Sequence, residues 1–216
     1  MSRKPPSVAS IATTGEGARM LAPAAERNVG VLCDLLEQVA SHQGRALELA
    51  SGTGQHVSAF AARLPGLRWQ PTEVDALRRA SIDAYCEGLD NVAPVQELNA
   101  TRPGWGANWA GQDLVVLINL LHLISEDEVA TLIAEAAAAL APGGRLVIYG
   151  PFMRAGELTS EGDARFHAAL TADDPEIGYK DDFDTMDRMQ AVGLEMAEVL
   201  EMPANNLALI AEKPRV

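Results

Sequence analysis

Short apolar runs alternate along the chain with stretches in which apolar residues recur at helical spacing. The runs predict seven strands, at residues 45–49, 67–72, 92–98, 113–118, 145–149, 194–200 and 207–212. The helical spacing predicts a helix that begins at Pro23 and further helices at about residues 55–64, 76–87 and 126–140. The run at 113–118 is apolar after its first residue, which is typical of a strand covered by helices on both faces.

The order of these elements predicts an α/β fold. Strands that alternate with helices form a parallel sheet with helices on both faces. The last two strands break the alternation, because the short segment at 202–206 joins them directly and lets the final strand run antiparallel. We therefore predict a Rossmann-like, seven-stranded, mostly parallel sheet with an antiparallel last strand. Residues 1–22 are rich in Ser, Thr, Gly and Pro and are expected to form a flexible N-terminal arm, with residues 23–216 as a single domain.

Composition and charge narrow the function classes. The chain of 216 residues carries a formal net charge of −13, which repels phosphate backbones and disfavours a nucleic-acid partner. No apolar run reaches the roughly 18 residues needed to cross a bilayer, and no apolar segment follows the basic N-terminus as in a signal peptide. Cys33 and Cys86 have no ligand-like spacing, so no metal site is expected. We expect a cytoplasmic protein without a membrane partner, and composition leaves the oligomeric state open.

The strongest chemical signal is a glycine-bearing turn between the first predicted strand and the helix after it. The segment 47–54 reads LELASGTG. Its glycines let the backbone turn tightly and approach a ligand, and the following helix offers free N–H groups to it. At the end of the second strand stand Glu73 and, close by, Asp75. A carboxylate at this point can accept hydrogen bonds from both hydroxyl groups of a ribose.

These features resemble the class I methyltransferases that use S-adenosylmethionine (SAM). The pattern Glu48-x-Ala50-x-Gly52-x-Gly54 is similar to the first motif of that superfamily, with Ala50 where a glycine is usual. Val57 stands where dinucleotide dehydrogenases tend to have a third glycine. Later landmarks resemble the superfamily in order: Glu73 as its ribose-binding acid, Asn99-Ala100 beside the adenine, the strand 113–118 with its exit 119–122, and the turn and strand at 140–148.

The resemblance implies SAM as the cofactor and a set of residues that bind it. That set comprises Glu48, Ala50, Ser51, Gly52, Thr53, Gly54, Glu73 with Asp75 as the alternative ribose acid, Asn99, Ala100, Asn119 and Leu120. Arg27 and Asn28, on the first helix, are added because a basic residue there would meet the methionyl carboxylate. The segments 23–28, 149–152 and 202–207 together also resemble a small methyltransferase-like family whose substrates are undefined.

Residues for the methyl acceptor are expected where the fourth and fifth strands end, because ligands bind at the carboxyl edge of such sheets. His122 is the candidate proton acceptor and Tyr149 a second catalytic candidate. Arg154 is expected to hold a carboxylate, and Asn205 and Asn206 to bind polar groups from the loop before the last strand. Each of these side chains also has an ordinary structural interpretation at a strand end or a turn.

The sequence thus predicts a SAM-dependent methyltransferase whose substrate is a small polar molecule of unknown identity. Two alternatives stay open. A SAM-binding protein without catalysis would keep the same cofactor loop. A nicotinamide-dependent oxidoreductase is less favoured, since the third glycine of its usual loop is missing.

Overall fold

The computed structural model describes residues 12–215. Its centre is a seven-stranded sheet, as predicted. The strands are β1 (Thr13–Thr14) and β2 (Met20–Leu21), which form a separate hairpin, and β3 (Gly44–Leu49), β4 (Leu67–Pro71), β5 (Gln112–Ile118), β6 (Leu140–Met153), β7 (Lys180–Asp181), β8 (Glu195–Met202) and β9 (Asn206–Glu212). The order across the sheet is β4-β3-β5-β6-β9-β8, with β7 paired to the end of β6.

Helices cover both faces of this sheet. They are α1 (Pro23–Val39), α2 (Gln55–Arg63), α3 (Ala76–Cys86), α4 (Glu126–Ala139), α5 (Glu161–Asp173) and α6 (Asp182–Ala191), with short 3-10 turns at Gly106–Trp109 and Leu121–Leu123. Side chains of β5 alternate between two buried apolar clusters: Val115 and Leu117 pack with α4, whereas Leu114 and Val116 pack with α1 and α2. This alternation follows from the two-residue repeat of a strand. It confirms a sheet that is covered on both sides.

The end of the sheet matches the predicted reversal. Strand β9 pairs antiparallel with β6 on one side and with β8 on the other. Ala204 and Asn205, between β8 and β9, both have φ of 59°. Consecutive left-handed residues are typical of the tight turns that join hairpin strands, and asparagine tolerates this conformation better than most residues.

Three elements differ from the sequence prediction: the segment 92–98, helix α5 and helix α6, the last two of which are absent from the predicted helices. Residues 92–98 form isolated bridges, Trp69 with Val92 and Thr72 with Gln96, instead of a strand. Pro94 in this segment lacks the N–H that a ladder needs, and the seventh strand is β7. Helix α5 was not predicted, because its buried residues are Asp163 and Leu170 and its sequence therefore has little apolar periodicity.

Residues 12–22, which the sequence assigned to a flexible arm, contain the β1–β2 hairpin, while residues 1–11 lie outside the described part of the chain. The hairpin docks on α3. The Arg19 guanidinium donates to the carbonyl of Ala84 at 3.1 and 3.0 Å and lies 5.2 Å from the ring centre of Tyr85. The backbone N–H of Met20 donates to Ser81 Oγ at 2.8 Å. Among residues 12–215, no helix is long and apolar enough to span a bilayer.

Candidate functional site

A cavity of about 930 Å³ opens at the carboxyl ends of β3, β4, β5 and β6. It lies where the strand order reverses, between β3 and β5, which is the usual ligand position in open α/β sheets. We call it the central cavity. Of the residues predicted from the sequence, its lining includes Arg27, Asn28, Glu48, Ala50, Ser51, Gly52, Thr53, Glu73, Asn99, Ala100, Asn119, Leu120, His122, Tyr149 and Asn206. Gly54, Asp75, Arg154 and Asn205 lie outside this lining.

The two glycines of the β3–α2 loop have different roles. Gly52 has φ of 60°, and a Cβ added there would come no closer than 4.0 Å to its nearest neighbour, so its open side belongs to the central cavity. Gly54 has φ of 91°, and an added Cβ would lie 2.7 Å from the Cα of Ile82. Gly54 therefore lets α2 pack closely on α3. Ala50 also has a positive φ, of 52°, which is strained for a residue with a Cβ.

Glu48 is a buried carboxylic acid in the wall of the central cavity. Its side chain is 2% exposed, and Oε2 accepts no hydrogen bond from residues 12–215. Burial raises the pKa of Glu48 to about 8, while a hydrogen bond from Ser51 lowers it and the charge of Glu73 raises it further. A buried polar atom without a partner is costly, and such atoms are uncommon in native proteins. The Glu48 carboxyl could therefore bind a hydrogen-bond donor or a cationic group of a ligand.

Glu73 and Asp75, the two candidate ribose acids, lie in different environments. Glu73 is buried and lines the central cavity, where Oε2 accepts from the backbone N–H of Gly52 at 3.0 Å and Oε1 from that of Val74 at 2.8 Å. Asp75 is exposed and caps α3 by accepting from the N–H of Arg78 at 2.9 Å. The geometry therefore favours Glu73 over Asp75 as an acid that faces a ligand.

A hydrogen bond joins α1 and α2 beside the cavity. The Nε2 atom of His56 lies 2.8 Å from Asn28 Oδ1, and both residues line the cavity together with Tyr149 of β6. Burial lowers the pKa of His56 to about 4, so its ring is uncharged at neutral pH. Burial raises the pKa of Tyr149, and the Asn28 side chain partly opposes that rise. Arg27, one residue before Asn28, is exposed at the rim.

The exits of the neighbouring strands carry further lining residues. Asn119 follows β5 with φ of 55°, and its N–H donates to the Tyr149 carbonyl at 2.8 Å, so it joins the exits of β5 and β6. Asn99 uses Oδ1 to accept from the N–H of Thr101 at 3.0 Å and from its hydroxyl at 2.8 Å. The side chain of Asn99 is therefore held in a local turn, while Ala100 and Leu120 complete this part of the lining.

His122 lies in an aromatic environment that the sequence did not predict. Its ring centre is 5.7 Å from that of Phe166 and 6.3 Å from that of Tyr179, and all three side chains line the central cavity. Burial, with the charge of Lys180, lowers the pKa of His122 to about 3. Phe166 lies on α5 and Tyr179 just before β7. Both were missed, because no local motif marks them and α5 itself was not predicted.

Arg154 and Asn205, two of the residues expected to bind substrate, make hydrogen bonds that hold the β8–β9 turn in place. The guanidinium of Arg154 donates to the carbonyls of Phe152 and Asn205 at 3.2 and 3.1 Å. The amide of Asn205 donates at 3.1 Å to Asp163 of α5, and this carboxylate also accepts from the Tyr179 hydroxyl at 3.0 Å. Both side chains are thus engaged with protein groups. The turn that they hold brings Pro203, Ala204 and Asn206, the third predicted substrate residue, to the cavity.

Comparison with solved structures places the fold. The chain is similar to an O-methyltransferase family protein from Burkholderia thailandensis (19% identity, TM-score 0.74, covering 88% of this chain and 58% of that one). It is also similar to human N-acetylserotonin methyltransferase in complex with SAM (12%, 0.67, 88% and 56%) and to a methyltransferase of calicheamicin biosynthesis in its S-adenosylhomocysteine-bound form (14%, 0.68, 88% and 54%). The chain thus spans little more than half the length of these structures. At these identities the similarity establishes the fold, which is that of class I methyltransferases.

The sequence itself gives a family. Residues 19–213, which include every strand of the central sheet and all the lining residues from Ala22 onward, match the model of one protein family. The chain belongs to that family, described as "Protein of unknown function (DUF938)".

Proposed function

We propose that this protein transfers the methyl group of SAM to a small-molecule acceptor. The observation that carries the proposal is the buried Glu48 carboxyl, with its unpartnered Oε2, in the same cavity as Gly52 and Glu73. An acid of this kind, a loop glycine with open space beside it and a second acid at the next strand end suit a nucleoside with a charged amino-acid tail. The likeness in fold to SAM-dependent enzymes supports the same cofactor.

The residues present fit this cofactor. Glu73 would accept hydrogen bonds from the ribose hydroxyls, and Glu48 would accept one from the methionyl ammonium group, which would also favour its ionised form. Arg27, exposed at the rim, would pair with the methionyl carboxylate. The adenine ring would lie against Asn99, Ala100 and Leu120. SAM, when bound, supplies a methyl carbon that its sulfonium already activates.

The chain's own contribution is then position and proton transfer. Holding an acceptor lone pair in line with the methyl carbon supplies much of the rate enhancement. His122 is uncharged at neutral pH, because its pKa is lowered to about 3, so its ring has a free lone pair. An acceptor hydroxyl becomes strongly acidic as its oxygen gains a methyl group, so His122 can take its proton despite that low pKa. The buried ring of Tyr179 and the partly buried ring of Phe166 shield His122 from water.

The cofactor assignment is tested at Gly52 by titration calorimetry with SAM, S-adenosylhomocysteine and NAD. We expect the wild type to bind the first two and not NAD. Gly52→Val, which would put a branched side chain into the central cavity, should weaken SAM binding by at least about tenfold. The matched control is Gly88→Val, because Gly88 also has a positive φ, of 83°, but has nothing within 4 Å of an added Cβ and lies outside the cavity lining.

If folded Gly52→Val binds SAM as tightly as Gly88→Val does, the loop assignment is wrong. Binding alone does not distinguish an enzyme from a SAM-binding protein without catalysis. An assay for methyl release over a panel of metabolites makes that distinction, since only an enzyme turns SAM into S-adenosylhomocysteine in an acceptor-dependent way.

A further inference from the structure

We propose that the methyl acceptor is an uncharged, planar aromatic molecule that carries an oxygen substituent. It would bind against three side-chain rings, those of His122, Phe166 and Tyr179, which we call the aromatic wall. The proposal rests on the proposed function, because it names the substrate class of the same site. It replaces the small polar acceptor expected from the sequence, because two of the three residues predicted to bind that acceptor, Arg154 and Asn205, lie outside the cavity lining.

The wall is a continuous group of rings. Ring centres lie 5.7 Å apart for His122 and Phe166, 6.3 Å for His122 and Tyr179, and 6.1 Å for Phe166 and Tyr179. The ring planes are inclined at 59°, 63° and 73°, so the group presents both faces and edges. A flat aromatic ligand gains most from such an arrangement, since rings prefer offset-stacked or edge-to-face contact.

The electrostatics around the wall disfavour a charged acceptor of either sign. Within residues 12–215, the acidic and basic lining residues of the cavity lie on other elements and are Arg27, Glu48, Glu73, Arg78 and Glu128. Behind the wall, the Asp163 carboxylate accepts from the Tyr179 hydroxyl at 3.0 Å, and Lys180 Nζ donates to the Gly178 carbonyl at 2.9 Å, 3.9 Å from Glu126. Both charges are thus engaged with protein groups. A charged acceptor would lose its hydration at the wall without a partner of opposite charge, and a neutral ligand does not meet this penalty.

The oxygen substituent is needed to meet the hydroxyl of Tyr149. Tyr149 is 3% exposed and lines the cavity, and its hydroxyl can both donate and accept a hydrogen bond. A buried polar group without a partner is costly. An acceptor with an oxygen substituent would supply a partner to this hydroxyl.

The test measures binding of four small probes by ligand-observed NMR titration, with S-adenosylhomocysteine present. The probes are 2-naphthol, its saturated analogue decahydro-2-naphthol, the anion 2-naphthoate and the cation 2-naphthylmethylammonium. We expect 2-naphthol to bind about fivefold more tightly than the saturated analogue and about tenfold more tightly than either ion. Equal or tighter binding of any other probe, or no detectable binding of 2-naphthol, would overturn the proposal.

Two variants assign the effect to the wall. Phe166→Leu removes a ring and keeps an apolar side chain, so it should weaken 2-naphthol binding about fivefold and leave decahydro-2-naphthol unchanged. Phe183→Leu is the matched control, because Phe183 is 57% exposed on α6 and lies outside the cavity lining. An unchanged preference in Phe166→Leu contradicts the proposal.

The same samples separate this proposal from the proposed function. Calorimetry with S-adenosylhomocysteine reports the cofactor site alone. If S-adenosylhomocysteine binds and the preference for 2-naphthol is absent, the acceptor class is wrong and the cofactor assignment stands. If it does not bind, the titrations repeated without it still report the preference of the wall, and the methyltransferase proposal is the one that fails.

Discussion

At the scale of single residues, burial of the Glu48 carboxyl reduces the stability of the folded protein. Its carboxyl is withdrawn from water, and burial raises its pKa from 4.5 to about 8. The folded protein therefore keeps a proton that the unfolded chain releases above pH 4.5. The contribution of this group to stability is largest below pH 4.5 and is lost as the pH rises to about 8.

Replacing this acid should remove that pH dependence. Glu48→Gln keeps the shape of the protonated side chain, so its free energy of unfolding should exceed that of the wild type by an amount that grows from pH 4.5 to about 8. Urea denaturation across this range measures the difference. Glu87→Gln, which removes the charge of an exposed carboxylate, is the control for the loss of one acidic group. A constant difference for Glu48→Gln would refute the buried, protonated carboxyl.

At the scale of elements, the contact between α2 and α3 holds the loop of residues 50–54, between β3 and α2, in position. Gly54 precedes α2 directly, and its missing side chain lets the loop approach Ile82 of α3. On the other side, Gln55 Oε1 accepts from the Thr53 hydroxyl at 2.8 Å and from the N–H of Ala22 at 2.7 Å. Ala22, which follows the N-terminal hairpin, is therefore connected to Thr53 of the loop through one amide, and both residues line the cavity.

A methyl group at Gly54 should disturb this contact. Gly54→Ala places a Cβ 2.7 Å from a backbone atom of Ile82, so α2 must shift. Gly88→Ala shares the positive φ without a neighbour within 4 Å, and it reports the backbone strain by itself. We expect Gly54→Ala to be the more destabilising by about 1–3 kcal/mol, measured by denaturant unfolding. Equal losses in the two variants would mean that the α2–α3 contact adapts freely.

At the scale of the whole molecule, the central cavity joins distant parts of the chain. Its lining runs from Ala12 in the N-terminal segment to Asn206 in the C-terminal hairpin, and passes through the ends of four parallel strands. A ligand there contacts groups that are together only in the folded state. Such a ligand stabilises the protein by mass action.

Stability should therefore respond to the cofactor product. S-adenosylhomocysteine at about 100 times its Kd adds about 2.7 kcal/mol, which should raise Tm by about 5–10 °C in a chain of this size. Differential scanning fluorimetry measures the shift. NAD, which shares the adenosine part, should leave Tm unchanged. A larger shift with NAD than with S-adenosylhomocysteine would instead favour the oxidoreductase alternative.

Much of the fold, and the part of the cavity proposed to bind the cofactor, could be predicted from the sequence, because both depend on local order. Alternating strands and helices determined a parallel sheet, and the short link at 202–206 determined its antiparallel last strand; the structure confirms both. The turn between β3 and α2 is short, so it brings Glu48 and Gly52 to the same cavity. Glu73 follows the neighbouring parallel strand, so the same edge of the sheet brings it to Gly52.

The surroundings of His122, where the acceptor is proposed to bind, were decided by tertiary structure. Phe166 and Tyr179 reach His122 from residues far along the chain, through a helix whose weak periodicity gave no signal. Arg154 and Asn205 were placed correctly near a strand end and a turn, but their hydrogen-bond partners are backbone carbonyls and Asp163. The sequence determines the chemical groups of each side chain. How α5 and the last hairpin pack determines which side chains face the cavity. Burial of apolar surface stabilises contacts between residues that are distant in sequence, and no local sequence pattern predicts those contacts.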